Sequence, residues 1–152
     1  MIELTGLSVS IQDTLLLEDI DLQLHQGQYL VVVGPNGSGK STLLKTLVGI
    51  IGQYSGEIRY RDRKLALYSQ RELARLVSYV PQSSGRELPF AVEDFIKMSR
   101  YAHHTALSDW EPEDQQAVDD ALRITDTASF RQRQMTTLSG GESQRVMIAG
   151  AL

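Results

Sequence analysis

The first part of the chain alternates between apolar and polar positions with the period of a strand. Leu7 and Val9 alternate with Ser8 and Ser10, and Ile20, Leu22 and Leu24 alternate with Asp21, Gln23 and His25. Successive strand side chains point to opposite faces, so both segments are predicted to be half-buried antiparallel strands. Residues 29–33, Tyr-Leu-Val-Val-Val, break that pattern. They are continuously apolar and β-branched, which predicts a strand covered on both faces. A glycine-rich turn follows, then Leu43, Leu44, Leu47 and Val48 at the spacing of a helix stripe. Strand, glycine turn and helix open an α/β unit. Residues 57–60 predict a returning strand and residues 77–80 a second buried one. Between them, Ser69 and Glu72 have the spacing of a capping box ahead of a short helix through Leu76. From about Val92 the period is helical throughout. Val92, Phe95 and Ile96 form one stripe; Val118, Ala121, Leu122 and Thr125 form another, with Pro112 placed for a first helical turn.

Composition narrows this picture. At about 150 residues per domain, 152 residues make one domain. A chain of that size buries roughly two-thirds of its unfolded surface, enough for a core without staples. Nineteen acidic against fifteen basic residues leave a net charge of −4. That argues against a general binder of nucleic-acid backbones, but a local anion site remains compatible with it. With no cysteine there is no disulfide, thiolate zinc site or thiol nucleophile. Residues 29–33 are the longest purely apolar run, far short of the roughly 20 residues that span a bilayer. Glu3 and Thr5 interrupt any signal-peptide core. The expectation is a cytoplasmic domain.

Candidate chemistry begins at the glycine turn. Gly34-Pro35-Asn36-Gly37-Ser38-Gly39-Lys40-Ser41 fits G-x-x-x-x-G-K-[ST], followed by Thr42. At an average glycine usage of about 7% this pattern arises by chance in well under about 1% of chains of this length. A buried strand before it and a helix after it are the context the motif needs. The glycines let the backbone approach a phosphate closely, and successive N–H groups at a helix N-terminus then face the anion. Lys40 would set its charge against the β- and γ-phosphates, and Ser41 would offer an oxygen to Mg²⁺. The alternative, a glycine turn with an exposed lysine, explains the spacing less well. The motif implies a site for a nucleoside triphosphate.

A second glycine motif, Leu138-Ser139-Gly140-Gly141-Glu142, leads into Ser143-Gln-Arg-Val-Met-Ile-Ala-Gly-Ala-Leu152. Alone, Ser139 and Glu142 read as a capping box on an amphipathic helix carrying Val146, Ile148 and Ala149. Together with the phosphate loop, the chain resembles the nucleotide-binding subunits of the ABC transporter family. Residues 138–145 match the family signature and residues 34–42 its form of the phosphate loop. That resemblance implies an α/β fold: a P-loop NTPase core with an N-terminal antiparallel β subdomain and an inserted α-helical arm, incomplete at the C-terminus. It divides the single partial domain, 1–152, into a β subdomain and phosphate-loop core (1–82), a helical arm (83–137) and the signature with the start of its helix (138–152). It also implies that Ser139, Gly140, Gly141 and Glu142 hold the γ-phosphate of an ATP bound to a second copy, so that two copies clasp two ATP molecules.

The resemblance extends further along the chain. Gln82, after Val80 and Pro81, stands where the family carries a glutamine that touches Mg²⁺ or the attacking water. Residues 71–75 and 89–95 resemble the importer branch for iron chelates, haem and cobalamin. In that branch the arm docks on a transmembrane permease subunit, with Phe90, Val92 and Met98 as candidate docking residues or as arm core. A solute-binding protein would act indirectly, and the cassette would sit peripherally on the inner face of the membrane. Ile11 stands where the family often stacks adenine on an aromatic ring; it can cover a base but offers no π-face. The family's catalytic Asp-Glu pair and a later histidine follow the signature helix, and the sequence ends at Leu152 before any counterpart. The acidic run 109–120 reads as a solvated helix face, and His103 and His104 as surface positions. The preferred function is an ATPase subunit of an importer. The alternatives are a non-catalytic nucleotide-binding fragment and a soluble ABC protein outside transport.

Overall fold

The computed structural model describes residues 1–82, 89–104 and 109–152, in two compact units, Met1–Val77 and Ser78–Leu152. The expected arm, 83–137, therefore includes ten residues that lie outside the described ones.

The first unit is built on a four-stranded sheet of order β2-β1-β3-β4. Strand β1 spans Ile2–Ile11, β2 Thr14–Leu24, β3 Ser55–Tyr60 and β4 Arg63–Lys64. All pairings are antiparallel, and Leu4 sits opposite Leu22 on one side and Ile58 on the other. The period-two pattern is realised at Leu7 and Val9, which are buried, and Leu4 joins them on the inner face across a register shift. The β1–β2 and β1–β3 registers both shift near Gly6. There Gly6 N donates to Asp21 Oδ1 and Asp19 N to Ser8 Oγ. Across this break Gly56 packs so closely that a Cβ would overlap Gly6 O, and its φ of +85° favours glycine as well.

Helix α1 (Lys40–Leu47) covers the inner face. Leu43 and Leu47 join Leu4, Leu7, Val9, Leu17, Ile58 and Tyr60 in one core, whereas Leu44 of the expected stripe is exposed. At the far end of α1, the Tyr60 hydroxyl donates to Leu47 O at 2.7 Å. This occupies one of the carbonyls a helix C-terminus leaves unpaired. Helix α2 (Gln70–Ala74) starts at the predicted capping box: Glu72 N donates to Ser69 Oγ, and Ser69 N to Glu72 Oε2.

Two expected strands are not formed. Residues 29–33 have no ladder partner, and Tyr29, Val31 and Val33 are 99%, 78% and 84% exposed. Residues 77–80 are likewise irregular and only partly covered. The physical reason is pairing. The described sheet is wholly antiparallel, and none of its strands is hydrogen-bonded in a ladder to either segment. An apolar, β-branched composition favours a covered strand, but a strand exists only where a neighbour accepts and donates its backbone hydrogen bonds.

The second unit is helical, with α3 (Val92–Met98), α4 (Pro112–Ile124) and α5 (Gly140–Ala149) joined by short 3₁₀ turns. Val92, Ile96, Val118, Ala121, Leu122, Val146 and Ala149 form its core, with Met135 from the turn Met135–Thr137. Pro112 opens α4 as expected. The acidic run is not uniformly solvated. Asp114 is 4% exposed and accepts from Arg100 Nε at 2.9 Å and Glu111 N at 3.0 Å, with His104 Nε2 3.0 Å from its Oδ2. Burial pushes its carboxyl up, but those three partners outweigh burial and hold it below the usual range. His104, read as a surface position, is half-buried here and stacks on Trp110. Val92 belongs to the core rather than to an exposed docking face, while Phe90 is exposed.

Candidate functional site

The phosphate-loop candidates converge in the first unit, at the N-terminus of α1. Gly39 is the N-cap, with φ +83°, and no side chain caps the helix. A Cβ there would lie 2.8 Å from Leu16 O and 2.7 Å from Leu17 Cδ2 on β2. Glycine is therefore required twice, by the left-handed backbone and by the close approach to the sheet. The missing side-chain cap leaves first-turn N–H groups of α1 available to an anion.

Lys40 Nζ closes the loop. It donates to Gly34 O at 2.8 Å, to Pro35 O at 2.6 Å and to Ser38 Oγ at 3.4 Å. One ammonium thus spans both ends of the turn and puts a full positive charge over it. Ser38 N donates to Pro35 O, and Leu43 N to Gly39 O, so the turn passes directly into the helix. Ser41 is exposed on the first turn of α1, where its hydroxyl offers the hard oxygen a Mg²⁺ ion prefers. A helix start with no side-chain cap, beside one lysine ammonium, fits a polyphosphate. Asn36 and Gly37 are exposed at its tip, Thr42 is half-buried on α1, and Ile11 is exposed at the end of β1.

Gln82 and the signature residues belong to the second unit. Gln82 is exposed. At the start of α5 the predicted capping box is present: Glu142 N donates to Ser139 Oγ at 3.3 Å, and Ser139 N to Glu142 Oε2 at 2.7 Å. Gly140 and Gly141 are exposed, and their N–H groups, in the first turn, have no intrahelical acceptor. Hydrogen bonds from Ser139, first its N–H and then its hydroxyl, and the Arg133 guanidinium hold the Glu142 carboxyl below its usual range.

Arg133 was not among the residues singled out from the sequence. Its Nη1 reaches Glu142 Oε1 at 3.0 Å, its Nη2 donates to Thr137 O at 2.7 Å, and its guanidinium lies 5.2 Å from the Phe130 ring centre. A spacing signal exists. Arg63, Ser69 and Glu72 repeat the arrangement Arg133, Ser139, Glu142 at the same intervals.

The ABC transporter family model matches residues 17–152. The chain belongs to that family. Its described fold is the mixed α/β fold of an ABC ATP-binding domain, and solved structures agree. A metal-chelate type ABC transporter in an inward-facing conformation matches with a TM-score of 0.79 and 28% identity over 99% of this chain and 54% of that one. Among curated relatives, a hemin import ATP-binding protein of Rhodopseudomonas palustris (strain HaA2) is 40% identical over 90% of this chain and 50% of its own length. A cobalamin import ATP-binding protein of Halobacterium salinarum (strain ATCC 29341 / DSM 671 / R1) is 36% identical over 99% of this chain and 37% of its own. The chain thus spans about a third to three-fifths of the curated ABC relatives it matches. Among the described residues of this ABC domain, no helix is long and apolar enough to cross a membrane.

Proposed function

We propose that this chain supplies the ATP-binding part of an ABC importer for an iron chelate, haem or cobalamin. The observation that carries the proposal is the α1 N-terminus: an uncapped helix start, a glycine with no room for a Cβ, and Lys40 held across the loop. The substrate class draws its support from the hemin and cobalamin import relatives and the metal-chelate transporter.

In this reading residues 34–42 bind the triphosphate of ATP. The N–H groups of the loop and of α1 face its oxygens, and Lys40 exchanges its loop carbonyls for the β- and γ-phosphates. Ser41 and Gln82 would hold Mg²⁺, which when bound neutralises developing charge on the phosphates. Ser139, Gly140, Gly141 and Glu142 of one copy close on the γ-phosphate held by the other, and Ile11 covers the base. The complete protein hydrolyses ATP, sits peripherally on the inner membrane face and acts on transmembrane permease subunits, with a solute-binding protein engaged indirectly.

Calorimetric titration with ATP tests the first step. Lys40→Ala should abolish measurable binding while the fold, followed by circular dichroism, is retained. Undiminished affinity in that variant would overturn the phosphate-loop assignment.

A further inference from the structure

The chain builds one local device twice. In the first unit, Arg63 Nη1 donates to Glu72 Oε1 at 2.8 Å, and its Nη2 donates to Leu67 O. The guanidinium lies 4.4 Å from the Tyr68 ring centre. Glu72 closes a capping box with Ser69. In the second unit, Arg133 makes the same two bonds, to Glu142 Oε1 and Thr137 O, against the Phe130 ring, and Glu142 closes a capping box with Ser139. Both arginines stand six residues before the serine, and both are followed two residues later by a buried apolar side chain, Leu65 or Met135, in a 3₁₀ turn.

The copies differ where it matters chemically. Behind Ser69 come Gln70 and Arg71, so the first helix start carries side chains. Behind Ser139 come Gly140 and Gly141, where a Cβ would meet nothing within 4 Å. Glycine has the most backbone freedom to lose, so a Gly-Gly helix start is the least able to hold its own N–H groups in place. The holding must come from outside those two residues.

Arg133 is anchored to do this. Its N–H donates to Phe130 O at 2.7 Å, and its carbonyl accepts from Val92 N at 3.0 Å, at the buried start of α3. Its fork then grips the carbonyl two residues before Ser139 and the carboxylate that binds Ser139 N. Both Glu142 oxygens are thereby occupied, one by Arg133 Nη1 and one by Ser139 N. We infer that Arg133 is a positioning residue for the signature loop, fixing the Gly140 and Gly141 N–H groups for the γ-phosphate held by a second copy. The inference rests on the proposed reading of residues 139–142 as the groups that close on that phosphate.

The test uses the protein as its gene encodes it. Self-association is measured by sedimentation in saturating ATP without Mg²⁺, ADP affinity by calorimetry, and thermal unfolding alongside. Arg133→Ala should weaken ATP-driven association by about tenfold, the effect of losing a charge-assisted, partly exposed fork. ADP affinity should stay unchanged, because ADP engages the phosphate loop alone. Arg133→Lys, which keeps the charge but not the fork, should recover part of the loss. Arg63→Ala, removing the same device from the other copy, should leave association unchanged. If Arg133→Ala does not fold, Glu142→Gln decides, since it retains an acceptor for Ser139 N but removes the charge partner. Gly141→Glu sets the reference. If it abolishes association while the Arg133 and Glu142 variants leave it intact, the positioning role is overturned. If Gly141→Glu also leaves association intact, the reading of the signature loop falls, and the inference with it. Equal losses of ADP affinity and association in Arg133→Ala would reduce the residue to general stability and overturn the proposal.

Discussion

Tyr60 ties the sheet to the far end of the phosphate-loop helix, and its hydroxyl makes that tie measurable. The side chain is 6% exposed and donates to Leu47 O at 2.7 Å. Tyr60→Phe removes the donor and leaves a buried helix-terminal carbonyl unpaired, which should cost about 1–2 kcal/mol at pH 7. Burial also pushes the phenol up to about 12 from its ordinary 10.0. The folded state therefore keeps its proton more tightly than the unfolded state. This contribution is fully present below pH 10 and is lost as pH rises from there through 12. Two pKa units at 1.36 kcal/mol each amount to about 2–3 kcal/mol of alkaline destabilisation. Phe has nothing to titrate, so the difference between wild type and variant isolates this one group from the other tyrosines. The wild type should be the more stable at pH 7, the two should cross near about pH 11, and the variant should lead above that. Urea titrations followed by the methyl signals of Leu4, Leu47 and Ile58 report the first unit specifically. A constant offset between the two proteins from pH 9 to 12 would refute the reasoning. It would mean that the hydroxyl ionises equally easily folded and unfolded, and so is not held by burial at the end of α1.

Two further outcomes follow from the same physics. Gly39→Ala places a Cβ against Leu16 O at a φ of +83°, and should lower the first unit's stability by about 2 kcal/mol while weakening ATP binding in the same titration; an unchanged urea midpoint would show that the loop relaxes freely. The Glu72 carboxyl is held at about 2 by hydrogen bonds from Arg63, then from the Ser69 N–H and hydroxyl. Its stabilising effect is therefore present above pH 4.5 and lost as pH falls toward 2. Carboxyl NMR should find Glu72 titrating well below the other glutamates, and Arg63→Ala should move it back up; a normal titration in the wild type would count against the clamp.

The parts of the fold that were legible in the sequence are those set by neighbours a few residues apart. A capping box needs only Ser69 and Glu72, or Ser139 and Glu142, and both formed at those positions. The phosphate loop needs its glycines and Lys40 within one turn, and Lys40 reaches both of its ends. The strands β1 and β2 were legible because alternation specifies one covered face and a hairpin pairs them from nearby chain, whereas β3 reaches β1 from the far side of α1, Ile58 opposite Leu4. Asp114 is not legible in this way: a carboxylate in an acidic run is usually solvated, and its partners Arg100 and His104 lie outside that run. Arg133 escaped notice for the opposite reason: its partners are local, but its role becomes visible only when the second copy of the device, at Arg63, is set beside it.

Residues 29–33 show where such reading stops and why. Their continuous apolar run states a demand, cover on both faces and a ladder on both edges, without stating what meets it. Helix stripes carry most of their hydrogen bonds within the segment, so periodicity alone nearly determines them. A parallel strand carries none of its own, and its partners come from distant parts of a chain. The same five residues therefore read as a buried strand by composition and stand outside any ladder, with Val32 packed against the core and the other four exposed. Gly39 lies close against β2, and α1 packs into the antiparallel core through Leu43, Leu47 and Tyr60. The turn is thus tied to the helix and sheet behind it by contacts that lie within the first unit.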